Sequence, residues 1–211
     1  RVHGLDGEAA ALNRAAAELA REAAGDRAAV GGSIGPVGEF LAPLGTLTAE
    51  EATDAFALQA GALAAGGVDL LWIETMADLG ELRAAVAGAR REAPELPIVA
   101  TMTFDSHGRT MMGTWPKDAA PALAELGVVA LGANCGTGPA EIEDAMTQMH
   151  AAAPGAILVA KGNAGVPRFE GVATVYDTAP ADSARHAVRA VELGARIVGG
   201  CCGTTPAHIR A

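Results

Sequence analysis

Ala195-Arg196-Ile197-Val198-Gly199-Gly200-Cys201-Cys202-Gly203-Thr204-Thr205-Pro206 passes from an apolar run, through a glycine-flanked cysteine pair, to a helix start. The run to Cys201 has the length of a buried strand. Pro206 behind Thr205 is a common helix opening, because the first helical residue has no intrahelical partner for its N–H. The stretch therefore reads as strand, turn and helix, with its unusual residues at the strand's C-terminal end.

Outward from this stretch the same unit recurs. Strand-like runs cover 156–163, 128–134, 97–104 and 68–75, and a short run at 28–30 feeds the glycine loop Gly31-Gly32-Ser33-Ile34-Gly35-Pro36. Helical patterns cover 182–193, 117–126 and 79–91, and another begins at Pro139 with Ile142, Ala145, Met146 and Met149 on one face. A further helix over 6–24 carries Leu12, Ala15, Ala16, Leu19 and Ala23 on one side and ends at Gly25. None of the strands alternates cleanly in polarity. Apolar strands separated by helices predict a parallel sheet covered on both faces. A closed barrel of this kind needs eight strand–helix units and typically ~250 residues. This chain has 211 residues and six such strands. An open sheet, or a barrel lacking two units at its front, both remain possible on this pattern.

Composition narrows the function classes. Half of the residues are hydrophobic but only 3% are aromatic, so the apolar mass is aliphatic, as suits helix-on-strand layers. A net charge of −10 leaves no basic patch for a nucleic acid. No uninterrupted apolar stretch approaches the ~18–20 residues of a membrane span, and no signal-peptide pattern is present. This is compatible with a cytoplasmic enzyme. The chain starts Arg1-Val2-His3-Gly4 without Met and runs straight into a helix pattern, from which we expect a cut N-terminus. Three cysteines, two of them adjacent, do not describe a disulfide framework.

The residues with chemistry cluster at strand ends: Glu74 after Leu70–Ile73, Cys135 after Ala130–Asn134, Asn163 after Leu158–Gly162, and Cys201-Cys202 after Ile197–Gly200. Parallel α/β folds build their sites there. Three thiolates brought to one mouth make a Cys₃ zinc site with a fourth position open to a thiol. The alternative is that the cysteines are small core residues. Glu74 suits a general base, an amine contact or a helix cap. Gly136-Thr137-Gly138-Pro139 opens a helix, where an anion could sit, but Pro139 removes a donor. No P-loop pattern occurs. His150, His186 and His208 read as surface or edge residues, and Met111-Met112 as packing.

Six segments together resemble the homocysteine S-methyltransferase family, which includes betaine–homocysteine methyltransferases and the homocysteine domain of cobalamin-dependent methionine synthase. They are Gly32-Ser33-Ile34-Gly35-Pro36; Glu74-Thr75-Met76; Thr103-Phe104-Asp105 with Gly108-Arg109-Thr110; Gly132-Ala133-Asn134-Cys135-Gly136; Asn163-Ala164-Gly165-Val166-Pro167; and Gly199-Gly200-Cys201-Cys202-Gly203-Thr204-Thr205-Pro206. The resemblance implies a (β/α)8 TIM barrel, with 1–211 a homocysteine-binding barrel domain that lacks its first two βα units and is cut in its last helix. It implies Zn2+ on Cys135, Cys201 and Cys202. It places Glu74 on the homocysteine amino group, Asn163 near the metal's fourth position, and Asn134 and Ser33 in the amino-acid pocket. The family's Asp-Gly strand lies upstream of anything present here, so we expect a fragment of a longer protein.

The implied reaction is methyl transfer to the thiol of homocysteine, giving methionine, from a small methyl donor that the sequence does not identify. Trp72, Trp115, Phe104 and Tyr176 are the aromatics available to hold a cationic donor. The rival readings are a metal-free TIM-barrel lyase or isomerase with Glu74 as base, and a non-catalytic fragment. A homo-oligomer is compatible with the sequence, which does not fix the assembly.

Overall fold

The computed structural model describes residues 4–105, 107–136 and 138–211. Thr137, inside the turn considered for an anion, lies outside the described residues. A 3-10 turn, Asp6–Glu8, leads into α1 (Ala9–Ala24), and β1 (Gly31–Ile34) follows. The next elements are α2 (Ala49–Ala65), β2 (Leu70–Met76), α3 (Leu79–Glu92) and β3 (Ile98–Met102). Then come α4 (Pro116–Glu125), β4 (Ala130–Cys135), α5 (Pro139–Ala152) and β5 (Leu158–Gly162). A ribbon of β6 (Arg168–Glu170) and β7 (Ala173–Val175) precedes α6 (Pro180–Glu192), β8 (Ala195–Gly200) and α7 (Pro206–Arg210).

The sheet order is β1-β2-β3-β4-β5-β8, and the ribbon β6-β7 stands apart as its own antiparallel pair. A doubly wound sheet reverses its order at a switch point. The unbroken order here is that of successive staves of a (β/α) barrel, which decides the choice the strand pattern left open. Among the described residues no helix is long and apolar enough to cross a membrane.

The chain divides into two compact units, and the division runs through β2 and β3. The first comprises the residues up to Glu74 with Gly80–Val99. Here β1 pairs with β2 in parallel, Gly31 opposite Leu70 and Ile34 opposite Ile73. Ile34, Phe56, Leu71, Ile73 and Leu82 are fully buried. The strand begins later than its sequence suggested: Gly32, Ser33 and Ile34, read as the loop, are the strand itself.

Two features of this unit departed from the sequence pattern. Helix α2 was not anticipated, although its start is written in Thr48-Ala49-Glu50-Glu51. The Thr48 hydroxyl accepts from the Glu51 N–H at 3.1 Å, while the Glu51 carboxylate accepts from the Thr48 N–H at 2.9 Å. Such a reciprocal cap satisfies two N–H groups that a helix start otherwise leaves open. Helix α1 buries a different face from the one its leucines suggested. Leu12 and Leu19 are exposed, and Ala17 is the one buried residue of the helix. The reason is close approach to α2: a Cβ on Gly66 would come within 2.7 Å of the Arg14 carbonyl oxygen. Only a face of small residues fits, and Gln59 Nε2 donates to Asn13 Oδ1 across it at 3.1 Å.

The second unit comprises Thr75–Leu79 with Ala100–Ala211. Four residues of β5 are buried, as are five of β4, so these are strands covered on both faces. Met102, Leu123, Leu131, Ile142, Met146 and Met149 fill its core. Met111, read as packing, stands in solvent. His186 is also corrected: it is buried, with Nδ1 3.0 Å from Glu143 Oε1, because α6 packs on α5 there.

Candidate metal centre

Strand register brings the cysteines together. Cys135, the last residue of β4, lies opposite Gly162 of β5, and Gly162 lies opposite Gly200 of β8. Cys201 follows Gly200, and its N–H donates to the Gly162 carbonyl at 2.9 Å. Three chemically distinct strand ends therefore stop at one level. Cys135 then adopts φ 59°, a left-handed conformation that costs a non-glycine residue about 1–2 kcal/mol.

The three Sγ atoms all lie within 4.8 Å of one another. Cys135 and Cys202 are 3.8 Å apart, and Cys135 and Cys201 are 2.9 Å apart. Tetrahedral zinc with Zn–S bonds of about 2.3 Å separates its sulfurs by about 3.8 Å. The first distance matches that spacing, and the second needs a small side-chain rotation to reach it. The donor set is soft, compact and open to solvent on the Cys202 side, where that thiol is exposed. These residues fit a zinc ion with one position left over.

The thiols share protons unequally. The bond from Cys135 holds the Cys201 thiol down to about 5, aided by Asn134, the Cys202 N–H and the positive charge of Lys161. Cys135, as the donor in that bond and half-buried, is pushed upward. The surroundings thus favour the charged form of Cys201 over that of Cys135, and a ligand must be deprotonated to bind metal.

The loops that carry the cysteines are stitched together by Asn163. Its Oδ1 accepts from the Cys202 N–H at 3.0 Å, and its Nδ2 donates to the Gly136 carbonyl at 2.8 Å. The Ala164 N–H donates in turn to the Cys202 carbonyl at 2.9 Å. Both ends of the Asn163 amide thus serve backbone on either side of the sulfur cluster. Asn134, adjacent to Cys135, is wholly buried beneath it. Two further groups escaped the sequence reading. Lys161 acts on Cys201 as above. Tyr176, named only as an unplaced aromatic, lies with its ring against Gly203, where a Cβ would collide with it. Desolvation and the neighbouring Cys202 sulfur raise the Tyr176 hydroxyl above its usual value. Phe104 is buried, whereas Trp115 is exposed and Trp72 half-buried.

Ser33 and Glu74, the other two candidates, meet within the first unit. The Ser33 hydroxyl donates to Glu74 Oε1 at 2.6 Å. That bond orients the carboxylate from one side.

Comparison with known proteins places the chain in a family. The chain is 37% identical over 164 residues to methionine synthase of Mycobacterium tuberculosis, covering 74% of this chain and 14% of that protein. It thus spans about a seventh of that relative's length. Its structure resembles the homocysteine methyltransferase MmuM from Escherichia coli in its apo form, with a TM-score of 0.76 and 28% identity. That match covers 98% of this chain and 73% of the other. A metallated form of MmuM matches with a TM-score of 0.69 and 26% identity, over 96% of this chain and 71% of that one. The sequence model of homocysteine S-methyltransferases matches residues 1–211, and on that match the chain belongs to the homocysteine S-methyltransferase family.

Proposed function

We propose that this chain transfers a methyl group to the thiol of homocysteine, giving methionine, with zinc held by Cys135, Cys201 and Cys202. The observation that carries the reading is the meeting of three sulfurs from two strand ends within 4.8 Å. Zinc, when bound, would acidify the substrate thiol and keep its sulfur nucleophilic.

The chain's own residues supply holding and placement. Cys201 offers its thiolate first, because its neighbours stabilise the charged form. Asn163 fixes the backbone of Cys202 and of the β4 turn, so the exposed sulfur is presented at a defined position. Glu74 recognises the homocysteine amino group, and Ser33 orients that carboxylate. The attack needs no separate base once the thiol is ionised. Holding sulfur and donor methyl about 3–3.5 Å apart would supply much of the remaining acceleration. The metallated MmuM supports the metal assignment.

The test is zinc content of the purified protein beside its Cys202→Ser variant. About one zinc per chain, lost in the variant, is expected for a three-thiolate site. Methyl-transfer assays with homocysteine and several donors should then lose activity in parallel. A cooperatively folded parent that takes up no zinc would sink the reading.

A further inference from the structure

Asn134 immediately precedes Cys135, yet its side chain has no exposure at all. The amide is spoken for at every valence. Oδ1 accepts from the Thr101 hydroxyl at 2.6 Å and from the Thr75 N–H at 2.8 Å. Nδ2 donates to Thr75 Oγ1 at 2.7 Å and reaches Cys201 Sγ at 3.7 Å. A primary amide offers two acceptor sites and two donor hydrogens, so nothing is left over. The orientation is also determined. A backbone N–H can only donate, so the oxygen must face Thr75 N and the nitrogen must face the sulfur side.

The residue it grips is itself unusual. Thr75 sits at φ 64°, left-handed for a β-branched side chain. Such a conformation persists where surrounding bonds hold it. Asn134 holds it twice, through N–H and through hydroxyl. One buried amide thereby pins the end of β2 and points a hydrogen at a cysteine sulfur on the other side. A substrate carboxylate could reach this amide only by breaking one of these bonds inside the core.

We infer that Asn134 is a positioning residue that sets the Cys201 sulfur for the metal and does not contact homocysteine. This rests on the zinc assignment above and revises the pocket role that the resemblance implied. Groups that orient a metal ligand from behind typically change affinity 10–100-fold when removed.

The experiment is zinc affinity by chelator competition for the parent and its Asn134→Asp variant. The substitution keeps shape and both acceptor contacts while removing the hydrogens aimed at Thr75 Oγ1 and Cys201. Zinc binding is expected to weaken about 10–100-fold. The KM for homocysteine at saturating zinc should stay within about twofold, since a substrate contact is not being removed. Unchanged zinc affinity, or a KM rise of about tenfold without a zinc effect, overturns the inference. If Asn134→Asp does not fold, Thr101→Val takes its place. It removes one bond to Oδ1 and should weaken zinc about 3–10-fold, less than the direct change. No change in that variant overturns the inference too. A parent that holds no zinc removes the zinc reading and this role together. A zinc-binding parent with an equally tight Asn134→Asp variant removes this role alone.

Discussion

The ends of β2 and β4 use the same backbone device for different purposes. Each strand turns left-handed at a non-glycine residue near its end, Thr75 at 64° just before Met76 closes β2 and Cys135 at 59° as the last residue of β4. At β4 the turn is spent on chemistry, since it delivers a sulfur to two others. At β2 the turned residue offers no reactive group. It instead presents a backbone N–H and a hydroxyl to Asn134. The lesson is that strain at a strand end marks a functional position only when one asks what the turned residue holds. Here the two strained positions belong to one network, because Asn134 adjoins one and binds the other.

The sharpest way to break the comparison is glycine at each position in turn. Cys135→Gly relieves the same backbone cost but removes a ligand, so zinc content should fall from about one per chain to none. Elemental analysis of the purified variant reads this directly. Thr75→Gly should leave stability within about 1 kcal/mol of the parent, because strain relief of about 1–2 kcal/mol is offset by a lost hydrogen bond and by glycine's greater unfolded freedom. Thr75→Val keeps the strain and loses the hydroxyl, leaving the buried Nδ2 hydrogen without an acceptor. It should cost about 2 kcal/mol in denaturant unfolding. A Thr75→Val variant as stable as the parent would show that the hydroxyl bond to Asn134 does not hold this turn.

The smallest effect lies at the opposite end of β2. Asp69, just before the strand, accepts from the Val30 N–H at 2.6 Å and pairs with Arg21. These bonds hold its carboxyl below the usual value. A depressed folded pKa contributes stability that is full above the unfolded value of about 3.9 and lost as pH falls through the folded one. Asp69→Asn should therefore lower Tm slightly at pH 7, and the gap should close as the pH is taken below about 4. A gap that persists in acid would mean that the lost contacts act by shape and not by charge.

The chemistry of this molecule was more legible in sequence than its packing. The cysteines were readable because each stands beside glycines at the end of an apolar run, and parallel strands gather such ends at one level. Their register, with Cys135 level with Gly162 and Gly200, needed coordinates. Asn134 was visible as a residue of interest but its role was not, since its partners Thr75, Thr101 and Cys201 are scattered along the chain. Helix α1 misled for a different reason. Leucines at helical spacing normally mark the packed face, but the contact with α2 is too close for them and selects Ala17 instead. Helix α2 could have been found from its Thr-x-x-Glu start. His186 looked peripheral because nothing local signals its pairing with Glu143, which lies on a different helix.

The ribbon β6-β7 has a practical consequence. Val172 at its turn is wholly in solvent and Phe169 nearly so, while Arg168 clamps the base through Asp177 and Glu170. A turn of this kind tolerates inserted sequence. An epitope or luminescent tag spliced between Gly171 and Val172 would ride a few residues from Tyr176 without entering either core. The protein thereby offers its own attachment point for following, on a surface or in a mixture, what happens beside the sulfur cluster.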